Sequence, residues 1–125
     1  MKRILGKVKK EIAIKNNIEE YAGKKIVLYD NERKHCEKHM HEFGDKKTFH
    51  YIMDNLEYII EKPDEVFYVK RKNTLEYYKT FDIGVTVRVK VEPGNELKVK
   101  TVFTVTKTKI ENRRKKENYN KYVLN

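Results

Sequence analysis

The sequence predicts an α+β domain in which N-terminal helices pack on an antiparallel sheet of about four strands. Three observations predict it. Apolar residues recur at helical spacing up to residue 62, they alternate with period two after Pro63-Asp64, and turn residues separate the alternating runs. At 125 residues the chain has the length of one domain. It divides into a mainly helical part (1–65), a sheet (66–106) and a basic tail (107–125).

Ile4, Leu5, Val8 and Ile12 recur at helical spacing with lysines between them, which predicts an amphipathic helix over 3–16. Lys25–Tyr29 (KIVLY) is a short apolar run, either an edge strand or a buried connector. Asp30 suits an N-cap, and Cys36, Met40 and Phe43 fall on one face of the helix that follows, which Gly44-Asp45 breaks. From Lys47, the residues Phe49, Ile52, Met53, Leu56, Ile59 and Ile60 form a 3.6-period stripe ending at Pro63. Val66–Lys70, Leu75–Phe81, Ile83–Val91 and Leu97–Thr106 then read as successive strands, with turns at Lys72-Asn73 and Pro93-Gly94-Asn95. In the third strand Val85, Val87, Val89 and Val91 share one face, and Thr86, Arg88 and Lys90 share the other. The first face is expected against the helices, and the second to be polar and basic. The tail is expected to be a basic helix or disordered.

Lys and Arg number 29 against 19 Asp and Glu, a formal charge of +10 that is unevenly spread. Residues 1–25 hold eight basic and three acidic side chains, and residues 107–125 hold seven and two. Residues 26–65 hold six basic and ten acidic, while 66–106 hold eight and four. This pattern predicts an acidic helical layer behind a basic sheet with basic ends, and so a polyanionic partner. A solvated charged surface is the plainer alternative. The single cysteine, Cys36, excludes an internal disulfide and a CxxC metal site, and its place on the apolar side of a helix makes it a packing residue. No apolar run approaches the ~20 residues that cross a bilayer, and the basic start lacks a secretion-type apolar core. A soluble protein without membrane attachment is expected, in the cytoplasm or delivered into a target cell.

His35, His39, His41 and His50 lie among glutamates, and His35 and His39 are spaced i, i+4, on one helix face. Three readings are open: a zinc site, an acid/base pair, or solvated surface histidines. HExxH order is absent, and so are a glycine-rich phosphate loop, GxSxG and convergent strand carboxylates, since Glu76, Asp82, Glu92 and Glu96 are scattered near strand ends. No metal or cofactor is therefore expected. A metal-free ribonuclease needs less: the RNA's own 2′-hydroxyl attacks, and the protein moves protons and holds the phosphate. Beside the histidines, the strands offer Tyr77, Tyr78, Lys79, Thr86, Arg88, Lys90, Thr101, Thr104 and Thr106 for this work. Phosphate contacts are expected from Thr86, Arg88, Lys90 and Thr104 on the strands and from Arg113, Arg114, Lys115 and Lys116 in the tail.

The order of these elements is familiar. A histidine helix precedes I-I-E-K-P-D-E-V (Ile59–Val66), a strand with E-Y-Y-K (Glu76–Lys79), a valine-rich strand and V-K-T-V-F-T (Val99–Thr104). Over roughly His35 to Thr106 this resembles the phage-associated nuclease domains of the barnase/EndoU/colicin/RelE-like superfamily. The resemblance implies a curved antiparallel sheet, metal-independent RNA cleavage, a toxin or phage-conflict role and a neutralising partner protein. It maps the family's first histidine onto His35, the strand residue onto Tyr78 or Lys79, and the last-strand threonine onto Thr101. The second histidine of the family, at about offset five and before a proline, has no exact counterpart: His39 and His41 stand at offsets four and six, without the proline. Two other readings remain open: a non-catalytic nucleic-acid-binding module, and an interaction protein using its acidic helical layer.

Overall fold

The chain opens with a strand where apolar spacing predicts a helix. In the computed structural model, which describes residues 2–115 and the backbone of 119–123, β1 (Lys2–Lys7) pairs antiparallel with β2 (Lys25–Tyr29). Only Lys10–Lys15 is helical there (α1). The apolar spacing is shared between elements: Leu5 reaches the core from the strand, Val8 from the connection and Ile12 from α1, while Ile4 is left exposed. Gly6 disfavours a helix through this stretch. The register of β1 also slips between Ile4 and Gly6, a bulge that changes which side chains face inward.

β2 is neither an edge nor a connector. It lies between β1 and β6 (Glu96–Val105) and runs parallel to the latter, with Ile26 opposite Leu97. A parallel pair needs a long crossover, and the whole stretch from residue 30 to residue 95 supplies it. That stretch begins with α2 (Asp30–Lys38), which Tyr29 rather than Asp30 caps, and continues through a 3-10 turn (Met40–Phe43). Gly44, at φ 94°, ends the turn in a backbone region that favours glycine. Asp45 caps α3 (Lys46–Asp54) by accepting from the Thr48 N–H at 2.7 Å. The apolar stripe expected as one helix is two, α3 and α4 (Leu56–Glu61). Asn55 stands at the break, where its side-chain amide donates to the Tyr51 carbonyl at 2.7 Å and competes with the helical pattern.

After Pro63 the chain forms β3 (Glu65–Val69), β4 (Thr74–Thr80), β5 (Gly84–Lys90) and β6, an antiparallel meander close to the expected bounds. Asn73 carries the first turn at φ 53°. Its side chain accepts from the Tyr68 hydroxyl at 2.6 Å and donates to the Val91 carbonyl at 2.8 Å. The tail is neither purely helical nor free: α5 (Lys107–Lys115) is followed by β7 (Tyr119–Val123), which pairs antiparallel with β3.

The strands form one open sheet in the order β1-β2-β6-β5-β4-β3-β7. Seven strands with one parallel pair, neither curled nor closed, replace the expected curved antiparallel sheet of about four. α1 to α4 cover one face, where Ile12, Phe49, Ile52, Leu56 and Ile59 meet Leu75, Tyr77, Val85, Val87 and Val89. Burial pushes the Tyr77 phenol up, and its hydroxyl has no hydrogen-bond partner among the described residues. No helix of the described residues is long and apolar enough to cross a membrane.

Candidate functional site

The sheet face away from α1–α4 is not the open basic surface that alternation suggests. Phe67, Tyr78 and Val105 stand on it and pack with Ile110 of α5, which is 1% exposed, and Phe103 joins them. Two carboxylates are buried on this face. Glu76 lies mid-strand, not near an end, and is 1% exposed; directly across from it is Arg88, whose Nε donates to Glu76 Oε2 at 2.9 Å. Arg113 of α5 donates to the other carboxylate oxygen. Both guanidiniums stack near the Phe103 ring, with Arg88 Cζ 4.8 Å and Arg113 Cζ 5.8 Å from its centroid. Glu65 receives two contacts from Arg114 Nε, at 2.6 and 2.9 Å, and this pairing raises the Arg114 guanidinium further above its usual range. Three of the expected phosphate-binding arginines are thus drawn onto protein carboxylates.

A bulge in β6 settles which threonines accompany Arg88. Val99 pairs with Val89 and Thr101 with Arg88, so the residue between them is skipped. Thr101 therefore joins Arg88 and Phe103 on this face, whereas Thr104 sits across from Val85 and turns toward the helices, its hydroxyl 3.4 Å from the Glu42 carbonyl. Thr86, between Tyr78 and Phe103, is fully buried, and its hydroxyl has no partner among the described residues. Lys90 donates to the Lys72 carbonyl at 2.9 Å. Lys79 points to the helix side, donating to the Lys62 carbonyl at 2.6 Å, 3.5 Å from Asp64 and over the Tyr58 ring. Lys115 is exposed on α5, and Lys116 lies outside the described residues.

A cleft of about 920 Å³ lies at the end of the sheet. Its floor is the end of β4 and the start of β5, with Tyr78, Thr80 and Gly84, and the Thr80 and Tyr78 hydroxyls share a hydrogen bond at 2.8 Å. One wall is α5, with Lys107 and Lys109 in its first turn and Arg114 in its last, and the other is the 3-10 turn through Glu42 and Gly44, with Thr104 beside it. His41 precedes Glu42 in that turn, and His39 Nδ1 lies 3.6 Å from Glu42 Oε2. The rings of His35 and His39 meet edge-on at 4.9 Å, and those of His39 and His41 lie 6.4 Å apart. All four histidines are exposed on the helix side; none of them lines the cleft, which their segment reaches through Glu42, Phe43 and Gly44, and Arg88 and Thr101 stand on the other face of the sheet. Among the described residues no three His, Cys, Asp or Glu side chains gather to hold a metal ion. Burial pushes the Cys36 thiol up.

Sequence reasoning missed Glu65 and Glu76. The available signal was strand parity, which places Glu76 beside Tyr78 on one face; their burial depends on α5 folding back, which no local pattern announces.

No curated protein and no solved structure matches the chain. A family model described as phage-Barnase-EndoU-ColicinE5/D-RelE like nuclease3 (PBECR3) matches residues 2–112, which takes in β1 through most of α5 and both walls of the cleft. The chain therefore belongs to this family of nuclease domains.

Proposed function

We propose that the protein is a metal-independent, toxin-like endoribonuclease that cleaves RNA in the cleft between the 3-10 turn and α5. The observation that supports this best is the meeting, in one cleft, of the 3-10 turn that carries His41, which lines it through Glu42 and Phe43, with the Tyr78 hydroxyl and the cations Lys107 and Lys109. RNA supplies the nucleophile, its 2′-hydroxyl. The protein must accept that proton, hold the charge that grows on phosphorus oxygens, and protonate the leaving 5′-oxygen. In this reading His41, with His39 or His35 beside it, serves as base and acid from the rim. Lys107 and Lys109 hold the phosphate, Arg114 fixes the end of α5 through Glu65, and Tyr78 donates to a non-bridging oxygen. Arg88, Glu76 and Arg113 act from behind, tying α5 to the sheet so that its cations face the cleft. Thr101 supports Arg88, and Lys79 anchors the strand end at Asp64. A protein that neutralises the toxin would cover this cleft.

The second reading, a nucleic-acid-binding module without turnover, is favoured by the separation of the histidines from Arg88 and Thr101. Incubation of the purified protein with total RNA in excess EDTA separates the two. Cleavage that His41→Ala abolishes supports the enzyme. Binding with steep salt dependence and no turnover, with or without added divalent metal, supports the module.

A further inference from the structure

Beside the cleft lies a second, smaller concavity that the proposed chemistry does not use. It has a volume of about 230 Å³ and is built from α3 and the β4–β5 turn. Tyr51 and Phe81 form its aromatic part, their rings nearly perpendicular (88°) with centroids 5.8 Å apart. Tyr51 is 58% exposed, an unusual state for so large an aromatic side chain. Phe81 is half-buried, packed against the main core, and its turn is closed by its own N–H donating to the Ile83 carbonyl at 2.9 Å. One ring is therefore held by the core and the other stands on a regular helix with a face toward solvent. Asp82 and Ile83 line both this concavity and the cleft, so they stand between the two, and Lys47 also lines the smaller one.

We infer that the concavity at Tyr51 and Phe81 is a nucleobase subsite, which stacks one base of single-stranded RNA whose neighbouring phosphate lies in the cleft. The inference rests on the endoribonuclease reading and gives it a substrate class. A base has two π-faces and stacks on an exposed ring whatever its sequence. A base within a duplex has both faces occupied, so the subsite takes unpaired nucleotides. Asp82, at the shared rim, repels a phosphate, which leaves the uncharged base as the part of the nucleotide that suits the smaller concavity. Lys47 meets the next phosphate along the strand. Neither an acidic peptide nor a lipid headgroup offers a flat ring for the Tyr51 face.

The test uses the full chain and a single-stranded oligoribonucleotide with 2′-O-methyl groups, which binds but cannot be cleaved, alongside the unmodified RNA as substrate. Tyr51→Ala should weaken binding of the blocked strand about fivefold or more, the low end of a base–aromatic stack. Tyr51→Phe, which keeps the ring, should bind as the wild type does, and a duplex of the same sequence should not distinguish Tyr51→Ala from wild type. Equal binding of the blocked single strand by Tyr51→Ala and wild type, with both folded by circular dichroism, overturns the subsite while leaving cleavage by the wild type intact. If the wild type neither cleaves RNA nor binds the blocked strand, the endoribonuclease reading itself fails and the subsite with it.

Discussion

Replacing Gly84 by alanine places a methyl group where the structure has no room for one. An ideal Cβ there would stand 2.6 Å from the Val105 carbonyl oxygen, 3.0 Å from Tyr78 Cε1 and 3.2 Å from the Tyr78 hydroxyl. The nearest atom belongs to the backbone of the paired strand, since Gly84 is opposite Val105, so relief requires β5 and β6 to part. Overpacking of this kind costs about 1–3 kcal/mol, and a backbone obstacle puts Gly84→Ala in the upper half of that range. At roughly 4 °C per kcal/mol for a chain of this size, Tm should fall by roughly 8–12 °C in a thermal melt followed by circular dichroism. Gly6→Ala is the control. Its Cβ would meet the Ile60 Cγ2 methyl at 3.0 Å, a side chain rather than a paired backbone, so the loss should be smaller than at Gly84. Because Gly84 and Tyr78 both line the cleft, the Gly84 variant should also lose activity out of proportion to its folded fraction. A Gly84→Ala protein that melts within about 2 °C of wild type would refute the close approach of β5 to β6 at the cleft floor.

Three further outcomes follow from the packing. Glu76→Ala removes the buried carboxylate that Arg88 and Arg113 share and should cost about 3 kcal/mol in urea unfolding, whereas Glu76→Gln, which keeps the side chain's shape and hydrogen-bonding oxygen, should cost less. The Cys36 thiol, 1% exposed and pushed up by burial, should resist a thiol-reactive disulfide reagent at pH 8 and react fully once the protein is unfolded. The Thr48 N–H holds the Asp45 carboxyl below the usual carboxylate range, so its stabilising effect is present above that range and is lost as the pH falls through the lowered value. Tm measured at neutral pH should therefore drop in Asp45→Ala, and the gap to wild type should close on acidification.

The second half of the fold was legible because each signal there was local. Period-two alternation after Pro63, and turns whose positive φ falls at Asn73 and Gly94, fix β3 to β6 within about a residue. The first half was less so. Leu5, Val8 and Ile12 satisfy helical spacing even though three different elements deliver them, and the partner that makes Lys2–Lys7 a strand lies some twenty residues away. The parallel β2–β6 pairing joins residues about seventy apart and leaves no mark in either segment. At the site, Tyr78, Thr104 and Arg114 were named from the sequence and line the cleft together, and the histidine segment reaches its rim. Parity alone could not place Thr101, because a one-residue bulge moves it beside Arg88. Nor could charge counting show that Arg88, Arg113 and Arg114 are held by Glu76 and Glu65, since that depends on α5 folding back over the sheet.

Cleavage by the proposed route needs the RNA's own 2′-hydroxyl as nucleophile, and one measurement addresses that directly. A short RNA cut at a single bond is compared, in excess EDTA, with the same strand carrying a 2′-deoxy sugar on the 5′ side of that bond. The all-RNA strand should be cleaved with a 2′,3′-cyclic phosphate on the upstream product, and the deoxy-substituted strand should not be cleaved at that bond. Equal cleavage of both strands, or cleavage that appears only on adding a divalent metal, contradicts that route.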